Sequence, residues 1–221
     1  DERITKDGQV LVPLTDQELA RITDLVKKRV VEREGPTAIA VNLLFSFAHH
    51  EHEKRLGDFL RKEFPELSVS LSHQVAPVWR EYERGITTLV DAYIKPLVNG
   101  FTEDVDAGLK QRGLVAPLQL MKSNGGQMLA GTAGEHPVQL LLSGLAGGVI
   151  AGRYFGKLAG SRDVVTLDMG GTSTDVGLVV EGDERRRFTL LQQFLQQRRL
   201  GVQIRDTLLE RWFLSLSAQA N

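Results

Sequence analysis

Hydrophobic and polar positions divide the chain into alternating helical and extended segments. Residues 15–18 (TDQE) have the form of a capping box, in which a hydroxyl and a carboxylate satisfy free backbone N–H groups at a helix start. Leu19, Ile22, Val26 and Val30 then recur at helical spacing until Gly35-Pro36 ends the run. Residues 37–47 (TAIAVNLLFSF) are β-rich and apolar on both faces, which predicts a buried parallel strand. A second helix is expected over residues 51–64, with Leu56, Phe59, Leu60 and Phe64 inward. Pro65 stops it, and residues 68–72 read as a short strand. A long helical pattern covers residues 80–111, with Leu89, Tyr93, Leu97, Phe101 and Val105 at spacings of four. Pro96 lies inside it and predicts a kink.

Residues 117–123 (PLQLMKS) read as a strand ending at Asn124-Gly125-Gly126, a turn that calls for positive φ. Residues 138–158 are apolar and laced with glycine, which suggests a helix packed closely on its neighbours. Residues 163–169 predict a strand, 170–174 a tight turn and 175–180 a returning strand. Strands alternate with helices through most of the chain, so the expected class is α/β. The end differs in style. Residues 184–221 hold seven arginines against three acids, and Leu190, Leu191, Phe194, Leu195 and Leu208, Leu209, Trp212, Phe213 could form short amphipathic helices. These arginines lack interleaved aromatics or a known nucleic-acid fold, so a packed or poorly ordered terminal segment is the expectation.

Composition narrows the classes. With 221 residues the chain can bury a core as one large domain or two small ones. The 42% hydrophobic and 25% charged fractions are ordinary for a soluble globular protein, and the net charge of -1 offers no bulk attraction for nucleic acid or an anionic membrane. No cysteine occurs, which removes disulfides, thiolate zinc sites and cysteine nucleophiles and fits a cytoplasmic protein. The start, Asp1-Glu2-Arg3-Ile4, lacks a signal-peptide pattern and an initiator methionine, so a beginning inside a longer protein is expected.

The most chemically pointed segment is residues 168–175 (DMGGTSTD), set between two predicted strands. Gly170 and Gly171 let the backbone approach a ligand, and free amides in the turn form an anion nest. Thr172, Ser173 and Thr174 add hydroxyl donors beside those amides. Asp168 and Asp175 flank the loop; a carboxylate repels bare phosphate, so their presence implies an intervening Mg²⁺ or a water that needs orienting. The set suits a metal-bound polyphosphate, against the alternative of a solvated hairpin turn. It is neither a Walker loop nor a dinucleotide fingerprint.

Residues 168–176 (DMGGTSTDV), together with 72–84 (SHQVAPVWREYER), 122–126 (KSNGG) and 141–148 (LLSGLAGG), resemble in order the motifs of the hydantoinase A/5-oxoprolinase family. The resemblance spans residues 10–183. It implies a ribonuclease-H-like fold of the actin/sugar-kinase type, with two domains clasping ATP and Mg²⁺ and the second domain incomplete here. Residues 1–162 would be the remainder of the first domain with connecting helices, 163–183 the start of the second, and 184–221 an atypical tail. It further implies ATP-dependent opening of a cyclic amide such as a hydantoin or 5-oxoproline. Some relatives are instead subunits of ketone carboxylases. Asp168 would hold Mg²⁺ or its water, Gly170 and Gly171 would offer amides, residues 172–174 would bind phosphate oxygens, and Asp175 would orient water or fix the loop.

Three departures accompany the resemblance. The family's first phosphate loop and its adenosine segment are absent, the tail does not match, and Leu145 stands where the family has proline. The expected partner is a hydantoinase B-type subunit or fused domain, with self-association beside it; a non-catalytic nucleotide-binding or interaction module is the other reading. Asn124, Gly125 and Gly126 follow a strand where α/β sheets place ligands, and join the candidate cofactor residues, though a plain left-handed turn explains them equally. Glu83 and Arg84 are substrate-side or interface candidates through the family match, against a default of solvated salt bridges. His49, His50 and His52 miss the zinc-helix spacing, because Lys54 stands where a second histidine is needed, and read as a polar lead into a helix.

Overall fold

A computed structural model describes residues 2–31, 38–170 and 174–180, and it divides into two units. Unit 1 comprises residues 1–115 and 131–138; unit 2 comprises 116–130 and 139 onward. The tail expected to be atypical, residues 184–221, lies outside the described residues.

In unit 1 a small antiparallel pair, β1 (Arg3–Ile4) and β2 (Val10–Val12), precedes helix α1 (Asp16–Val31). The capping box is half used: the Glu18 amide donates to Thr15 Oγ1 at 3.2 Å, while the Glu18 carboxylate turns to Arg21. Strand β3 (Ala38–Val41) and strand β4 (Ser68–Leu71) run parallel, in register from Ala38↔Ser68 to Val41↔Leu71, with α2 (Glu51–Glu63) as the crossover. Their alternation creates two unlike faces. Ile39, Val41, Val69 and Leu71 join Leu14, Leu19, Leu56, Leu60, Phe64 and Leu67 in the main core. Ala38, Ala40, Ser68 and Ser70 occupy the other positions of the two strands.

Strand β3 is shorter than the apolar run 37–47 predicts. The backbone after Val41 is diverted by side chains: the Leu43 amide donates to Glu53 at 3.0 Å and the Leu43 carbonyl accepts from Arg84 at 2.9 Å. Groups spent this way cannot extend a ladder.

A short helix α3 (Ser72–Val75) leads to α4 (Glu81–Gln111), which runs through Pro96 and packs on β3 and β4. Its buried residues are Arg84, Thr87, Thr88, Asp91, Ala92 and Thr102. Asp91 ties the middle of α4 to the sheet, accepting from Ser70 Oγ at 2.7 Å and from the Val138 amide at 3.1 Å. The apolar positions at spacings of four face away: Leu89, Tyr93, Leu97 and Phe101 are all exposed. Small residues on the sheet admit a polar helix face closely, which leaves the apolar face unburied.

Unit 2 begins with the hairpin β5 (Gln119–Met121) and β6 (Gln127–Leu129). Residues 131–138, which belong to unit 1, hold most of a short helix α5 (Ala130–Ala133) and the start of a 3₁₀ turn (Pro137–Leu140), after which α6 (Ser143–Leu158) follows in unit 2. The antiparallel hairpin β7 (Val164–Met169) and β8 (Thr174–Val179) then packs on α6 around Leu145, Val149, Val164 and Val179. The α/β class holds, with β3–β4 the parallel pair and the other described pairs antiparallel. No described helix is long and apolar enough to cross a membrane.

Candidate functional site

Four glycines at four-residue intervals, Gly144, Gly148, Gly152 and Gly156, make one bare stripe along α6. Four helical residues advance ~6 Å and two strand residues ~6.6 Å, so the stripe keeps step with alternate residues of β7. The contacts follow that register. A Cβ on Gly156 would sit 2.3 Å from Val164 Cγ2, one on Gly152 2.0 Å from Thr166 Cγ2, and one on Gly148 3.8 Å from Asp168 Oδ2. Helix and strand therefore run in opposite directions, and the N-terminal end of α6 lies at the Asp168 end of the hairpin. Nothing lies within 4 Å of the corresponding position on Gly144, one step further on.

Asp168 pairs directly with Asp175 across the β7–β8 ladder. Residues opposite one another on antiparallel strands project from the same face with Cβ atoms ~5 Å apart, and two like charges so placed repel. Neither carboxylate has an ion pair among the described residues. Asp168 is exposed and Asp175 half-buried, so both remain open to a cation from solvent. Gly170 follows β7 at the mouth of the hairpin. Gly171, Thr172 and Ser173 lie outside the described residues; Thr174 opens β8, opposite Met169.

The β5–β6 turn packs on the same helix. A Cβ on Gly125 would meet Ile150 Cδ1 at 2.8 Å, and one on Gly147 would meet Met121 Sδ at 3.1 Å. Gly125 has φ +81, the left-handed value expected for this turn. Its amide donates to the Lys122 carbonyl and the Gly126 amide to Asn124 Oδ1, at 2.9 and 3.0 Å. The two glycine amides are thus committed inside the turn, and the amide group of Asn124 is what the turn offers a ligand. Ser123 anchors the turn through two bonds to the Gln139 carbonyl. Three of the motifs separated in sequence therefore meet around one glycine-striped helix. The pairing of two periods, four in the helix and two in the strand, is the signal that sequence reading missed.

The fourth motif, in unit 1, has a structural role. Arg84 is fully buried, and its guanidinium donates to Asn42 Oδ1, Ser72 Oγ, Val78 O and Leu43 O at 2.8 to 3.1 Å. Its reading as a substrate or interface residue is corrected: every direction is spent on joining the ends of β3 and β4 to the start of α4. Glu83 lies beside Arg80 as a surface pair. Glu53, also fully buried, accepts from the amides of Leu43 and His73, from Ser72 Oγ and from the His73 ring. Burial pushes the Glu53 carboxyl up, but these hydrogen bonds outweigh it and hold the group below its usual value. His49 and His52 are engaged with Lys6 O and Glu2, His50 stacks on His73, and no described cluster of acids and histidines could hold a metal.

Comparison with known proteins identifies the family. The sequence model of the hydantoinase/oxoprolinase family matches residues 84–203. The chain is 32% identical over 200 residues to caprolactamase subunit alpha of Pseudomonas jessenii, covering 90% of this chain and 28% of that protein. The crystal structure of the ATP-dependent caprolactamase from the same organism superposes with a TM-score of 0.69 at 31% identity, covering 80% of this chain and 25% of that one. A nucleotide-free structure of acetone carboxylase, from work on ATP-dependent acetone carboxylation, superposes with a TM-score of 0.71 at 27% identity over 82% of this chain and 25% of that one. The 221 residues thus span about a quarter of the length of these relatives. The chain belongs to the hydantoinase/oxoprolinase family.

Proposed function

We propose that this chain carries one side of an ATP–Mg²⁺ site that activates a carbonyl oxygen, in a protein that opens cyclic amides. The observation that carries the reading is the Asp168–Asp175 pair: two facing carboxylates at the mouth of a glycine-rich hairpin, with no cation of their own among the described residues. Their hard oxygen donors fit Mg²⁺, which takes one or two carboxylates and completes its shell with water and phosphate oxygens. The α6 N-terminus at the same end adds a favourable field for phosphate. Gly170 and Gly171, with residues 172–174, are the proposed phosphate donors, and Asn124, beside Gly125 and Gly126, a weaker contributor.

An amide carbonyl is a poor electrophile because nitrogen donation stabilises it. When bound, ATP would supply the phosphoryl group that makes the amide oxygen a leaving group. The residues here would position it and balance its charge: Asp168 holds the cation or its water, Asp175 orients water or fixes the loop, and the hairpin fixes the phosphates. The larger frame proposed is a ribonuclease-H-like fold of the actin type, with residues 163–183 opening its second domain, assembled with a B-type subunit or fused domain. Activation of a ketone for carboxylation is the second reading, supported by the structural likeness to acetone carboxylase.

The test is Mg²⁺-dependent binding of ATP by calorimetry, with Asp168→Asn beside the unsubstituted chain. Asp168→Asn should abolish the Mg²⁺ dependence; in the absence of metal it should also raise stability by up to ~1 kcal/mol, because a like-charge pair is relieved. Undiminished Mg²⁺-dependent binding by Asp168→Asn would overturn the reading. ATP turnover should be little or none for these 221 residues alone.

A further inference from the structure

We propose that His73 is the accepting group of a second ligand site, at the carboxyl ends of β3 and β4, which takes a neutral ring compound through an N–H beside its carbonyl. The two strands run parallel and end together at Val41 and Leu71, and Ser72 and His73 follow at once. The carboxyl ends of parallel strands are where open α/β sheets place ligands. Glu53 and Arg84 hold the backbone there, while His73 keeps one ring nitrogen over. The site lies in unit 1 alone. The choice of a ring N–H donor as ligand rests on the cyclic-amide reading above; the accepting nitrogen does not.

The tautomer follows from the partner. Glu53 is fully buried with its carboxyl held below its usual value, so at neutral pH it is ionised and can only accept. Its Oε1 takes the His73 amide and the ring Nδ1, both at 2.8 Å, so Nδ1 carries the hydrogen of the neutral ring. Nε2 is left with a lone pair, and no described residue bonds to it. The ring is held in place. Oε2 of Glu53 is fixed by the Leu43 amide and Ser72 Oγ, and Ser72 Oγ also meets Arg84 and Ser46 Oγ. The His50 ring lies nearly flat on His73, with centroids 4.9 Å apart. The His73 side chain is 11% exposed, so a small opening to solvent remains. A carboxylate that orients an imidazole through Nδ1 makes Nε2 a directed acceptor or base. Should the ligand's proton pass to Nε2, the ligand is left an anion and the imidazolium faces Glu53, which stabilises it. A ligand that arrives as an anion is disfavoured, because the buried cation here, Arg84, is already spent on four acceptors.

Nitrogen NMR of the chain labelled at histidine, in mildly alkaline buffer, reads the ring directly. His73 should show its proton on Nδ1. Succinimide, a small ring whose N–H sits between carbonyls, should move the Nε2 resonance. N-methylsuccinimide, the same ring without the N–H, should not. A ligand of so few atoms binds in roughly the millimolar range, so the titration runs to tens of millimolar. His73→Asn separates this role from a structural one: the Asn amide can still donate to Glu53 in place of Nδ1 but offers nothing in place of Nε2. It should keep its circular dichroism and lose about 10-fold in succinimide affinity. If His73→Asn does not fold, the comparison of the two imides on the unsubstituted chain still decides. The readout is ring binding rather than Mg²⁺-dependent ATP binding, so this proposal and the nucleotide reading fail separately. No Nε2 response to succinimide, or an equal response to N-methylsuccinimide, would overturn the proposal. Full succinimide affinity in folded His73→Asn would overturn it too.

Discussion

Glu53 shows what a single buried charge can hold in place. Its two oxygens accept from the backbone at the end of β3, the backbone at the start of α3, Ser72 and the His73 ring, while Arg84 gathers the carbonyls and hydroxyl on the same side of the sheet. Donors left without this carboxylate would be buried and unpaired, so Glu53→Gln should cost about 2–3 kcal/mol in urea unfolding at neutral pH. The pH dependence has a defined sign. The folded carboxyl is held below its ordinary value of 4.5, so the unfolded chain binds its proton first. The stabilisation is complete above about 4.5 and is lost as pH falls through the lower folded value. In Glu53→Gln that part of the acid destabilisation should disappear; an unchanged acid slope would show that Glu53 is not the group responsible. Sequence alone marked neither residue this way, because a buried charge looks like a surface one until its partners, 6 to 42 positions away, are brought together.

At the scale of elements, periodicity located the helices but not always their inward faces. Leu56, Leu60 and Phe64 point into the core as their spacing indicates, because the sheet face beneath α2 is apolar. On α4 the same spacing misleads. The sheet there offers Ala40 and Ser70, and the helix answers with Thr87, Thr88 and Asp91. The candidate site was legible at Asp168–Asp175 because acids, glycines and hydroxyls crowd eight positions; the role of α6 was hidden, since a glycine stripe gains meaning only against the strand it lies on. That role is open to measurement. Gly152→Ala would place a Cβ 2.0 Å from Thr166 Cγ2 and should destabilise unit 2 by ~1–3 kcal/mol. Gly108→Ala, on α4 with nothing within 4 Å, should stabilise by ~0.5–1 kcal/mol through helix propensity. A neutral Gly152→Ala would show that the register between α6 and β7 is wrong, whatever the effect of Gly108→Ala.

Among the described residues, the two units differ in how much they bury. Unit 1 encloses a core reaching from Leu14 through Leu60 to Leu71 and adds the Glu53 and Arg84 networks. Unit 2 gathers Leu145, Val149 and Val179 beside Val164, and leaves Val165, Leu167 and Met169 of β7 exposed. Apolar burial is the main term opposing chain entropy, so unit 2 should be the weaker. A urea titration followed by circular dichroism should therefore show two transitions, the earlier belonging to unit 2. The perturbations then sort themselves by residue. On the proposed reading Mg²⁺ with ATP would bind at the Asp168 end of unit 2, and its addition should raise only the earlier transition, by ~2.7 kcal/mol when the ligand stands a hundredfold above its dissociation constant. Acid should lower the later one, through Glu53 in unit 1. Asp168→Asn should erase the first response and spare the second, and Glu53→Gln should do the reverse. One transition, indifferent to Mg²⁺ with ATP, would refute both the ranking of the two units and the placing of the ligand.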